Sequence, residues 1–515
     1  MQRRTFLTTL GATAAATTTP AFFGFSPSIG SPDAFTDFAL AADDIDTFRD
    51  GYPGFVLRYE DADHRDSLEE WLEETETARI HRDLELVNML AVNMSWADAG
   101  RTTTFGIDRY SGGLNDLEYL EYAAADAFLE RPEYFEPSDL ASQSDVDHGL
   151  GIGERLLTTS FGTDSTPDYD GLAFDGDAPT ARLREARTLV QAGDSVLEEI
   201  DTSSVRVCVA DTGVNDRWIY EDGEGESRIS PESTDFTGGS DETGVDAVAD
   251  GDGHGDWVSA CILADHDEGH YTGFAPAAEL IAAKTLGDDG SGSIADIVAG
   301  IELAIDTHAD VLCMSLGSPQ WAEPIADALA DAWDAGVFPV AAVGNDRFAT
   351  TFVAHPSSSE YAVGINATNV PDSGDRDDTQ LSYFGNVGPH PGTQDFSDGE
   401  SADAKPALAA PGMNIEIDPV GTLSGTSMAA PMVAGAAAVL AAEGYDNETI
   451  LERLTDCAYP VENFGVTEAE HGLLDVDAAL RGYEYEDSQE DVRNDGAEAR
   501  DRFNRALSAT RGGFW

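Results

Sequence analysis

The chain has 515 residues, enough for two or three domains with their own cores, and its 41% hydrophobic content excludes a disordered polymer. Against 98 Asp and Glu stand 28 Lys and Arg, among them the two lysines Lys284 and Lys405, leaving a net charge of −70. Such a field repels phosphate backbones, which argues against nucleic acid as a partner. It also repels itself unless salt shortens the Debye length from about 10 Å at 0.1 M to about 3 Å at 1 M, so the chain is expected to need molar salt.

Taken in chain order, residues 1–41 carry the pair Arg3-Arg4, then Thr5-Phe6-Leu7 and a mild Ala/Thr/Leu stretch. This resembles a twin-arginine export signal, with cleavage after Ala39-Leu40-Ala41 or earlier, and it implies a secreted protein or one held at the cell surface. No run reaches the roughly 20 apolar residues a bilayer needs, so no stable membrane insertion is expected. Residues 53–130 alternate like a strand in PGFVLRYE and have helical spacing in DSLEEWLEETE. ARIHRDLELVNMLAVNMS gives two strands, and LNDLEYLEYAAADAFLE a short helix and a last strand. The order βαββαβ predicts a small α+β unit, an antiparallel sheet backed by two helices. Residues 131–180 turn to Asp, Ser, Pro and Gly and read as an acidic linker.

From 181 to 481 short apolar strands alternate with amphipathic helices, which predicts an α/β fold with a parallel sheet covered on both faces in three layers. Functional residues then belong at the carboxyl ends of strands. Four segments fit that rule: VRVCVA ending in Asp211-Thr212-Gly213, GDGHG with His254 before an apolar run, VFPVAAV ending in Gly344-Asn345, and GTSMAAP around Ser427. Each alone is weak. Together they are what nucleophilic acyl transfer requires: a serine hydroxyl, an imidazole to take its proton, a carboxylate to hold that imidazole, and a donor for the oxyanion. Ser427 heads an Ala-rich helix, whose unpaired N–H groups favour developing negative charge. Cys208, Cys261, Cys313 and Cys457 are too few and dispersed for a disulfide framework; buried thiols or one disulfide both fit. Residues 482–515 read as an acidic tail with one weakly amphipathic helix.

Asp211, His254, Asn345 and Ser427 in that order, with these flanks, resemble the subtilisin-like serine proteases, particularly the secreted haloarchaeal ones. The similarity covers about residues 181–481 and includes TGFAPAAELIAAKTL, PALAAPGMNI and HGLLDVDAAL. The resemblance implies a serine endopeptidase acting on polypeptides as a monomer, with no cofactor required for chemistry. It implies that Ser291-Gly292 and Ser315-Leu316-Gly317 are edge strands holding the substrate, with Ala342 and Gly344 walling the pocket for the residue before the scissile bond. Ile294, Ile297 and Leu316 would form a further apolar pocket, or simply pack a helix. Residues 53–130 would be an inhibitory prodomain, cut away within the linker.

Three departures qualify the resemblance. The common HGTHVAG is HGDWVSA here, so that Asp256 either acts on His254 or points to solvent. Met432 replaces a frequent His, and an acidic insertion over 221–251 could border the cleft. A loop with Asp265 and Asp267 could hold structural calcium, although acidic pairs are expected anyway in so acidic a chain. A narrow processing protease, and a non-catalytic binding protein on a protease fold, remain the alternatives to a general endopeptidase.

Overall fold

The computed structural model describes residues 48–130, 171–388 and 406–512, apart from 50–51, 105–106, 111–112, 118, 175–176, 223, 239–240, 267–268, 320 and 348–351. The expected export signal and most of the expected linker therefore lie outside the described residues.

The N-terminal unit starts with β1 (Tyr52–Tyr59), α1 (Ala62–Glu74), β2 (Arg79–Leu84) and β3 (Met89–Asn93), followed by β4 (Leu120–Ala125) and β5 (Phe128–Glu130). β1 lies between β3 and β4, β2 pairs with β3, and all of these pairings are antiparallel. The expected second helix is corrected. LNDLEYLEY gives one 3-10 turn at Gly113–Asp116 and then strand β4, after a hairpin of Arg101–Thr104 with Ile107–Tyr110. The Ala run of 123–125 has high helix propensity, but Ala123 and Ala124 are buried in register with β1, and packing overrides propensity. One sheet face packs Phe55, Leu57, Leu90 and Val92 against Leu68 and Leu72 of α1. The other packs Val56, Met89 and Ala91 against helices of the following unit.

Among the described residues, that unit is built on a ten-stranded sheet. Its parallel centre runs in the order β7 (Glu279–Lys284), β6 (Arg206–Asp211), β9 (Val311–Met314), β10 (Phe338–Ala342), β11 (Val363–Thr368), β12 (Leu408–Pro411). Helices α2 (His254–Leu263) and α5 (Thr426–Ala442) pack together on one face. On the other lie α3 (Ile294–Asp306) and α4 (Glu323–Asp334), which also meet the N-terminal sheet. Both faces of the sheet are covered, which is why its strands are apolar without alternation. The α/β expectation stands. All four cysteines are free and buried, and among the described residues no helix is long and apolar enough to cross a membrane.

Both ends of this body extend past the expected limits of 181 and 481. Leu172–Ala173 pairs in parallel with Leu381–Ser382, and Phe174 stacks on Tyr383 with centroids 5.3 Å apart. At the other end the segment expected to be a tail forms α6 (Asp495–Gly512), in which Arg500 is 1% exposed. Its docking is made by buried charge pairs, which a hydrophobic pattern does not register. The acidic insertion adds Thr234–Asp235 and Glu242–Thr243 to the sheet beyond β7. From there the Phe236 carbonyl and Asp241 Oδ1 accept hydrogen bonds from Arg82 of the N-terminal unit, at 3.0 and 2.7 Å. It borders that unit.

Candidate active site

Asp211 is the last residue of β6, and its carboxylate is held inside the fold. Oδ1 accepts from the Thr212 backbone N–H and lies against His254 Nδ1, both at 2.7 Å, with the carboxyl 1% exposed and the imidazole fully buried. A carboxylate only accepts, so this bond puts the imidazole proton on Nδ1 and leaves Nε2 as the basic nitrogen. Gly255 makes the approach possible. A Cβ there would come within 2.3 Å of the Gly213 carbonyl oxygen, so only glycine lets the first turn of α2 lie on the turn after β6.

The sequence reading missed Asp250, which fixes the start of α2. Its Oδ1 accepts from the backbone N–H of Asp252 and Gly253 at 2.9 and 2.8 Å, and Oδ2 accepts from that of Asp256 at 2.8 Å. Asp250 stands three residues ahead of the Gly253 N-cap, outside the position where a capping residue is read from sequence, so ADGDGHG carries no signal for it. Burial nonetheless holds its carboxyl above the ordinary range, outweighing the N–H bonds that favour the anion. Asp250→Ala should destabilise the fold by about 1–2 kcal/mol, the usual loss for a helix cap. Thermal melting in molar salt checks this, and an unchanged melting point would refute it.

Asp256 has neither of its expected placements. It is fully buried, turned away from solvent, and held by the Arg217 and Tyr220 side chains; Tyr220 donates to Oδ1 at 2.9 Å, and Asn215 Nδ2 to Oδ2 at 3.3 Å. Burial, and secondarily the Asp256 charge, push the Tyr220 hydroxyl well above its ordinary pKa, so it stays a donor. The neighbouring Trp257 is buried and donates from Nε1 to the Gly421 carbonyl at 3.1 Å, tying α2 to the hairpin that leads into α5. The unusual Asp-Trp pair is therefore internal scaffolding.

Ser427 is the second residue of α5, fully buried, with its hydroxyl donating to the Ser315 carbonyl at 3.3 Å. The Ser315 hydroxyl returns a bond to the Ser427 carbonyl at 3.0 Å. Small residues let α5 sit close: a Cβ on Gly435 would come within 2.4 Å of Phe274 Cβ. Asn345 Oδ1 accepts from the Thr426 backbone N–H at 2.9 Å and the Thr426 hydroxyl at 2.8 Å. With its carbonyl end fixed, the Asn345 amide NH2 lies beside Gly425, 3.1 Å from where a Cβ would stand. Thr426 was not singled out in the sequence, yet it orients Asn345 by way of the Ser427 motif.

Ser291–Ser293 forms β8, and β5 lies antiparallel on it, with Glu130 opposite Ser291, Leu129 opposite Gly292 and Phe128 opposite Ser293. Leu129 is buried in the same apolar cluster as Ile294, Ile297 and Leu316. Ser315 and Leu316 follow β9 and are fully buried, and Ser318 just beyond Gly317 forms a bridge to His355. Ala342 ends β10. Gly344 has φ +98°, and a Cβ there would meet Asn386 Nδ2 at 2.5 Å. Asp265 is exposed and accepts from the Thr272 hydroxyl at 3.2 Å, while Asp267 lies outside the described residues. Among the described residues, no His, Cys, Asp and Glu side chains gather into a group suited to a metal.

Residues 202–477 match the Subtilase family of S8 peptidases. The chain belongs to this family. It is 29% identical over 282 residues to the "Major intracellular serine protease" of Bacillus subtilis, covering 53% of this chain and 79% of that protein. It is also 30% identical over 298 residues to "Subtilisin BL" and to "Subtilisin Savinase" of Lederbergia lenta, covering 57% of this chain and 96% of each. As a subtilase the chain is a serine endopeptidase, a hydrolase of peptide bonds.

Proposed function

We propose that this subtilase is an exported, salt-adapted endopeptidase made as a zymogen, in which residues 53–130 cover the substrate edge until the chain is cut. The observation that carries this reading is β5 lying antiparallel on β8, where a substrate strand would pair. In the reaction, the Ser427 hydroxyl turns from the Ser315 carbonyl and gives its proton to His254 Nε2 as Oγ attacks the peptide carbonyl carbon. Asp211 keeps the imidazole in the required tautomer and stabilises the imidazolium. The Asn345 amide and the Ser427 backbone N–H receive the oxyanion. His254 then protonates the leaving amine, and water, deprotonated by the same imidazole, hydrolyses the Ser427 ester.

Ser291, Gly292, Ser315, Leu316 and Gly317 hold the substrate main chain in this reading, with Ala342 and Gly344 beside the scissile residue. Export by the twin-arginine route and kinship with the haloarchaeal enzymes rest on the Arg3-Arg4 segment and the net charge of −70. Monomeric action, and calcium at the loop of Asp265 and Asp267, belong to the same proposal. In molar NaCl the purified protein should cleave casein and be labelled at Ser427 by a serine-directed phosphonate. Melting below 0.1 M salt should occur at a markedly lower temperature, since like charges are then unscreened. Absence of labelling, or melting indifferent to salt, would sink the corresponding half of the proposal.

A further inference from the structure

The segment carrying Asn345 is held by the C-terminal helix α6, which lies outside the family match of residues 202–477. Arg347, two residues after Asn345, donates from its guanidinium to Glu468, and its backbone N–H bonds the Phe384 carbonyl at 3.1 Å. Arg500 of α6 grips the same carboxylate, with Nε at 2.8 Å from Oε1 and Nη2 at 3.0 Å from Oε2. All three side chains are nearly inaccessible: 4% for Arg347, 1% for Arg500 and 0% for Glu468. Burial alone would push the Glu468 carboxyl up, but the two guanidiniums pull it down to about 2, so it stays charged.

Neighbouring bonds carry the link through. Asp501 of α6 accepts from the backbone N–H groups of Val466 and Thr467 at 3.1 and 2.8 Å, fixing the segment that presents Glu468. Asn366 Nδ2 donates to the Glu468 carbonyl at 2.9 Å and to the Asn386 carbonyl at 3.3 Å. Asn386 in turn bonds both flanks of Asn345, its N–H to the Gly344 carbonyl at 2.9 Å and its Oδ1 to the Asp346 N–H at 2.7 Å.

From this chain of contacts we infer that Arg500 is a positioning residue for the oxyanion donor, acting through Glu468 and Arg347 on Asn345. The inference rests on the role proposed above for Asn345. An oxyanion donor works only where the transition-state charge appears, so a loop shift of a fraction of an ångström weakens it without altering substrate binding. Removing Arg500 leaves Glu468 buried with one cation in place of two, and the carboxylate and Arg347 must then rearrange beside Asn345.

The test uses the full chain in molar NaCl with a chromogenic peptide, with rates expressed per active site titrated by a phosphonate. Arg500→Met should lower kcat about tenfold with KM within about twofold of the parent, an effect confined to the transition state. Arg500→Lys, which keeps the charge but not the two-point grip, should fall between them. In an Asn345→Ala background Arg500→Met should change kcat by less than about twofold, because the donor it positions is gone. An unchanged kcat in Arg500→Met, or the same tenfold loss in the Asn345→Ala background, overturns the link. Should Arg500→Met yield no titratable sites, Arg500→Lys decides, and a parental kcat there overturns it. Asn345→Ala alone should lose roughly 10²–10³-fold in kcat. A parental rate in that variant would instead overturn the reading of Asn345 itself.

Discussion

Replacing Ser427 by Ala should abolish turnover while leaving the fold intact. The hydroxyl makes one long bond of 3.3 Å to the Ser315 carbonyl, so its removal alters stability by no more than about 1 kcal/mol. The activity it supports is of another order. In the related subtilisin, removal of the nucleophile lowers kcat by about 10⁶-fold, with residual catalysis left to the oxyanion donors and binding, and that figure sets the scale here. If the enzyme cuts its own chain, the same variant should accumulate uncut, with residues 53–130 still attached. Kinetics per mole of folded protein, melting curves and the mass of the purified chain check the three statements separately. A variant with parental turnover would remove Ser427 from the mechanism. A variant that is inactive yet cut would leave the chemistry standing and assign maturation to another protease.

How much of this could be read beforehand depended on the kind of interaction involved. Periodicity suffices for the parallel sheet, and the order of four motifs, each weak alone, for singling out Asp211 and His254. The 2.7 Å bond between Asp211 and His254 bridges 43 positions of sequence, and the motifs alone anticipated it. What escaped was governed by tertiary partners. Ala123 and Ala124 carry helix propensity but take strand geometry beside β1. Arg500 and Asp501 look like surface charge until Glu468, Val466 and Thr467 are placed opposite them. Asp256 reads in the sequence as a perturbant of His254 or a solvent group, whereas Arg217, Tyr220 and Asn215 enclose it. In a chain this acidic, the residues that neutralise a buried carboxylate are the informative ones, and they are scattered in sequence.

Docking of the N-terminal unit should weaken as pH rises from about 4 to about 7. Asp126, just after β4, is buried against the start of α3, where its Oδ1 accepts from the Ala295 N–H at 2.9 Å. Burial lifts its pKa to about 6; Asp296 adds to the rise, while that N–H, Ser293 and Arg82 oppose it. Glu302 on α3 accepts from the Leu86 N–H of the N-terminal unit at 2.7 Å. Burial lifts it to about 7; Asp83 and Asp306 add to the rise, while the Leu86 bond and Arg82 oppose it. Both carboxyls regain water when the units part, so their pKa values then return to the ordinary range. The sign is the reverse of the usual carboxylate case. A pKa raised in the docked state means protons are taken up on docking, so the association is strongest below about 4 and weakens until pH passes about 7. A rise of about two units corresponds to roughly 3 kcal/mol, or about a hundredfold in affinity, for each group. Arg82 of the N-terminal unit also pairs with Asp296 of α3 at 2.7 Å, and its guanidinium keeps its charge throughout this range. Binding of the cut N-terminal unit in trans to the Ser427→Ala body, measured directly in molar NaCl, reads docking apart from turnover. Affinity should fall between about pH 4 and about 7 in the parent, and Asp126→Asn with Glu302→Gln should flatten the curve at the tight end. Affinity that rises with pH, or a curve the double variant leaves unchanged, would mean these carboxyls are solvated at the interface.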